Sequence, residues 1–196
     1  MTWRRWAWPA ACAVAATGAL LAWPVPRELL DWQPALAVTQ PWRLLSAAWV
    51  HWSARHLAMN LAGCALIALL GWRARAGVPA VRAWALAWPL SQMGLLAQPA
   101  LKHYGGLSGV LHAAAAILGC HLLARGADSR SRAIGALLVV GLAAKVLSEA
   151  PWGEATRRVD GWDFLLAPAA HASGVLAGLL AWALIGRRAD PAGHDA

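Results

Sequence analysis

The chain alternates between apolar runs and short polar gaps. Six runs stand out, at about 6–24, 54–72, 79–98, 107–124, 133–149 and 163–185. A bilayer core is about 30 Å thick, and a helix rising about 1.5 Å per residue needs roughly 20 mostly apolar residues to cross it. The pattern therefore predicts an all-α polytopic membrane protein, a six-transmembrane-helix bundle forming a single domain over residues 1–196. The longest gap, about 25–53, holds Pro24, Pro26, Pro34 and Pro41, which forbid one continuous helix. Its stretch QPWRLLSAAWVHW is expected to lie along the membrane interface. The first run follows Arg4 and Arg5, as a signal peptide would, but no small-residue cleavage site follows, and it is read as a retained helix.

Charge orients the bundle. With the N-terminus inside, ten Lys and Arg fall in inner gaps: Arg4, Arg5, Arg73, Arg75, Arg82, Arg125, Arg130, Arg132, Arg187 and Arg188. Six fall outside, namely Arg27, Arg43, Arg55, Lys102, Arg157 and Arg158. The excess places both termini, including a short tail at about 187–196, in the cytoplasm and the 25–53 loop outside.

Composition agrees. The 196 residues are 60% hydrophobic and 13% charged, against about 25% charged in a soluble domain. The net charge of +8 is spread over the gaps between runs rather than gathered on one face, so nucleic acid is not an expected partner. Cys12, Cys64 and Cys120 each lie within an apolar run and make neither a disulfide framework nor a metal site. No metal or cofactor is expected. Many of the 14 Trp flank the runs, where amphipathic rings suit the headgroup zone.

Polar side chains inside apolar runs are costly and mark function. Asn60 and His56 in the second run, Ser108 at the head of the fourth and His171 in the sixth fall in the outer third of the bilayer if those runs share a direction. By this count His171 lies roughly 12 Å into its run. The chemistry that fits is acyl transfer, with His171 accepting the Ser108 proton and returning it to a leaving amine. The Asn60 amide, His56 and the Ser108 backbone N–H can form an oxyanion hole. Gly106 and Gly109 leave room for a substrate backbone. No acidic residue lies in the interior of a run, Glu149 and Asp163 standing at run ends, so the reading is a Ser-His dyad whose imidazole is held by packing.

These residues resemble the rhomboid intramembrane serine proteases. The resemblance covers runs two to six and the long loop. The family's GxSG is matched by Gly106-Leu107-Ser108-Gly109, and its AHxxGxxxG by Ala170-His171, Gly174 and Gly178. HxxxxHxxxN is matched by His51, His56 and Asn60, and a structural Trp-Arg by Trp42-Arg43. Small size and GLSGVLHA look like rhombosortase. That resemblance implies a bacterial inner-membrane endopeptidase whose active site opens to the periplasm. Its partner would be a membrane-anchored protein substrate ending in Gly-Gly, a transmembrane helix and arginines. Many rhomboids carry a tyrosine four residues after the nucleophile, stacked on the catalytic histidine. Here that position is His112, read as the replacement ring, with a role as the base itself left open.

Other readings stay open at this point. His51 is catalytic or merely interfacial, and His103 is a solvated loop residue or a gate. His121 is structural, and Lys145 snorkels to the interface or forms a Ser-Lys pair. The remaining alternatives are a rhomboid with other single-pass substrates and an inactive rhomboid-like binder of membrane helices. No HExxH, paired intramembrane aspartates or phosphate-binding Gly-rich loop is present.

Overall fold

A computed structural model describes residues 3–187. The expected tail lies almost wholly outside the described residues. The described residues are all-helical in fold, with seven α-helices among them: α1 (Ala7–Ala22), α2 (Arg43–Ser46), α3 (Ala54–Arg73), α4 (Val78–Met93), α5 (Ser108–Arg125), α6 (Ser129–Ser148) and α7 (Pro168–Ala181). A π-turn at Trp182–Gly186 extends α7. Among the described residues, two isolated antiparallel bridges take the place of a sheet.

Among the described residues, four helices are long and apolar enough to cross a membrane: α3, α5, α6 and α7 with its π-turn. The expectation of six is thus met in part. Helices α1 and α4 have 16 residues each, about 24 Å at 1.5 Å per residue. The first stops before Pro24 and Pro26. The second tightens into a 3₁₀ turn at Gly94–Ala97.

The α5 helix is the centre of the bundle, with 67% of its apolar window buried against 6% for α6. Its Ala113–Ala116 stretch is fully enclosed. Tryptophans lock neighbouring helices to backbone carbonyls: Trp8 Nε1 donates to Ile67 O at 3.0 Å and Trp84 Nε1 to Val110 O at 2.9 Å. Cys12 and Cys64 are buried and unbridged, as small packing residues.

Helices α5 and α7 touch backbone to backbone. A Cβ added at Gly174 would overlap the Gly109 carbonyl, and one at Gly178 would meet Ala113 O at 2.5 Å. Only small residues permit such an approach. This seam brings the first turns of α5 and α7 side by side.

The sixth run differs from its expected extent. The helix begins at Pro168, not near 163. Residues 150–167 instead form a loop closed by the Arg157–Leu166 bridge. Proline suits the first helical position and disfavours helix before it. His171 therefore sits in the first turn of α7, about 5 Å from its start, rather than deep inside.

Candidate active site

Helices α3, α5 and α7 begin, and α6 ends, at one end of the bundle. Each contributes one part of a polar cluster. Ser108 is the first residue of α5, reached through Gly106 at φ +134°, a conformation side chains rarely adopt. A Cβ at Gly106 would also lie 2.8 Å from His56 Nε2 and 3.9 Å from Asn60 Nδ2, so glycine keeps the space beside both donors open.

His171 Nε2 lies 3.1 Å from Ser108 Oγ. His171 Nδ1 lies 2.6 Å from Glu149 Oε2. The carboxylate accepts a hydrogen bond from Nδ1–H, which leaves Nε2 free to accept from the Ser108 hydroxyl. The expectation of an imidazole held by packing alone is therefore corrected. Glu149 is the residue following the last turn of α6, and because His171 lies in the first turn of α7 instead of deep in it, the two meet at the bundle's end. Partial burial pushes the Glu149 carboxyl upward, but hydrogen bonds and attraction from His171 and Lys145 outweigh it and hold the group at about 2.

Lys145 Nζ pairs with the other carboxylate oxygen, Oε1, at 2.5 Å. It also comes within 3.3 Å of His171 Nδ1, but a nitrogen already donating to Glu149 cannot accept from it, and the ion pair fixes its position. The lysine thus braces the acid and does not pair with Ser108.

His112 stacks on His171 at 4.2 Å between ring centres and 15° between planes. Its Nδ1 donates to the Ser108 carbonyl at 2.7 Å, not to the hydroxyl. His56 and Asn60 are both buried. The Trp52 N–H donates to His56 Nδ1 at 3.3 Å, which puts the ring proton on Nε2. Asn60 Nδ2 spends one hydrogen on His56 O at 3.1 Å and keeps the other. The first-turn N–H groups of α5 have no partner within the helix, so the Ser108 N–H completes a converging set of donors.

The supporting residues are placed as follows. His51 is buried, packs edge-on against His56 at 4.8 Å, and is kept neutral by burial, its pKa lowered to about 4. Trp42 is exposed, whereas Arg43 is buried and donates to Asp31 and to the Glu28 and Asp31 carbonyls. His103 is not simply solvated: its Nδ1 lies 2.6 Å from the buried Asp31 Oδ2. His121 lies at the far end of α5, where Nε2 donates to Ala74 O.

Two site residues went unread in the sequence. Tyr104 and Phe164 are the chain's single Tyr and Phe, and both line a cavity of about 330 Å³ with Ser108, His56 and His171. Phe164 stacks on His56 at 4.0 Å. The fully buried Tyr104 hydroxyl donates to Gly106 O at 3.3 Å. Their rarity in a tryptophan-rich chain was the available signal. A second cavity, about 300 Å³, reaches the same serine and histidine past Asn60, Lys145 and Glu149. No family model matches the chain, and no curated protein matches it.

Proposed function

We propose that this chain is an intramembrane serine endopeptidase of rhomboid type that cuts a membrane-anchored protein near the outer face. The observation that carries the reading is the line Ser108 Oγ, His171 Nε2, His171 Nδ1, Glu149 Oε2, with spacings of 3.1 and 2.6 Å. Ser108 attacks the scissile carbonyl as His171 takes its proton. The oxyanion forms against the Ser108 N–H, His56 and Asn60. The C–N bond breaks, His171 returns the proton to the departing amine, and water then hydrolyses the ester by the reverse sequence.

On this reading α1 and α3–α7 are the six spans, both termini are cytoplasmic, and Ser108 opens to the periplasm of a bacterial inner membrane. The substrate class rests on the resemblance to rhombosortase: a C-terminal Gly-Gly, a helix and arginines. Glycines also unwind a helix readily, exposing the carbonyl that must be attacked.

The test is purified protein with such a substrate, and a fluorophosphonate probe of the serine. Wild type releases product and is labelled; Ser108→Ala and His171→Ala do neither. Equal product from Ser108→Ala ends the enzyme reading in favour of a helix binder. A substrate lacking Gly-Gly that is cut equally well moves it to a general rhomboid. Asn60→Ala lowers turnover about 10²–10³-fold through loss of one oxyanion donor.

A further inference from the structure

The end of the bundle remote from Ser108 carries a second polar cavity. Helix α5 has 18 residues, so its ends stand about 26 Å apart. The cavity measures about 740 Å³ and is walled by Arg73, Arg75, Arg125, Arg130, His121 and, on α6, Ile134. The cleft lies where α3 and α5 end and α6 begins.

Its charges are arranged for an anion. Arg125 is fixed, donating to Gly186 O and Arg187 O and lying over the Trp182 ring. Arg73 and Arg75 enter no ion pair among the described residues, and Arg130 makes no direct one but stands in the field of Asp128. The nearby acid, Asp128, accepts the Ser131 N–H as the α6 cap. His121 is only 6% exposed. Its Nε2 donates to Ala74 O, and its Nδ1 is left without a partner. A buried ring nitrogen in that state costs stability unless something donates to it.

The apolar side points to a lipid. Ile134, Leu137 and Val140 follow one another at single-turn spacing along α6 and are exposed. They form a track for an acyl chain running from the cleft. We propose that this cleft binds an anionic phospholipid, its phosphate on the arginines and an acyl chain along the exposed face of α6.

Arg75 makes the test clean. It has φ +53° and closes α3 as a left-handed cap, with Ala76 N–H to Gly71 O at 2.8 Å and Arg75 N–H to Trp72 O at 3.2 Å. Glycine is favoured there, so Arg75→Gly removes the charge without harming the fold. Delipidated full-length protein in detergent is titrated with phosphatidylglycerol, phosphatidylcholine or free glycerol 3-phosphate and read by native mass spectrometry. Phosphatidylglycerol is retained over phosphatidylcholine, and glycerol 3-phosphate does not displace it. Arg75→Gly binds about fivefold more weakly with an unchanged or raised unfolding midpoint, and Arg73→Gln/Arg75→Gly/Arg130→Gln on the order of a hundredfold more weakly. Unaltered retention by the triple variant overturns the site. Displacement by glycerol 3-phosphate at matched concentration overturns the lipid as its occupant.

Discussion

Glu149 changes what His171 can do. Without it, either imidazole tautomer is available, and only the one protonated on Nδ1 can accept from serine. The carboxylate selects that tautomer and stabilises the imidazolium that follows. Glu149→Gln is expected to lower kcat on the order of 10²–10⁴-fold with KM little changed, measured on a cleavable substrate. The same residue carries a pH signature. Its carboxyl sits at about 2 in the fold against 4.5 as the reference value. A depressed carboxyl contributes stability above the unfolded value and loses it as pH falls through the folded one. The difference in unfolding midpoint between wild type and Glu149→Gln should be full above about pH 4.5 and shrink toward pH 2. A difference independent of pH would show that the carboxylate's charge is not what matters.

The α5–α7 seam is the element that makes a site of two distant residues. Ser108 and His171 are 63 positions apart, yet each lies in the first turn of its helix and the two meet because Gly174 and Gly178 let α7 lie against Gly109 and Ala113. Gly174→Val places three carbons where the Gly109 carbonyl already is. Overpacking of this kind costs about 1–3 kcal/mol, and the helices must separate to accommodate it. Loss of fluorophosphonate labelling together with a lowered unfolding midpoint is expected; retained labelling would mean that the seam does not set the catalytic distance. The glycine spacing was legible in the sequence, because small residues at helical intervals are a packing signal in their own right. The start of α7 was less legible. Residues 163–167 are apolar enough to continue a helix, and only the closed Arg157–Leu166 bridge and Pro168 make them a loop. That five-residue error hid Glu149, since a histidine set deep in a span has no carboxylate within reach.

Across the whole molecule, the 25–53 loop is tied to the segment that leads into Ser108. Buried Asp31 receives Arg43 Nη1 at 3.1 Å on one oxygen and His103 Nδ1 at 2.6 Å on the other. Trp32 and Tyr104 exchange backbone hydrogen bonds at 2.7 and 2.9 Å, and Gly106 N–H donates to Ala47 O at 3.0 Å. The loop therefore braces residues 101–107 from the side while the helices hold them from below. Arg43→Ala leaves Asp31 buried with its main counter-charge gone, at a cost of about 3–5 kcal/mol. Its unfolding midpoint should fall well below wild type, and Asp31→Asn in the same chain should recover part of the loss. No recovery would show that Arg43 acts by packing and not by charge.

The sequence by itself determined the helical class, the apolar helices long enough to cross a membrane and most helix positions, and it singled out Ser108, His171, Asn60 and His56, because apolar run length and the cost of polar groups within such runs are local properties of the chain. Tertiary structure alone decided that Glu149 stands behind His171, that Lys145 serves the acid and not the serine, and that Tyr104 and Phe164 line the cavity. Those facts depend on where one helix ends relative to the start of another, and packing between helices sets that relation.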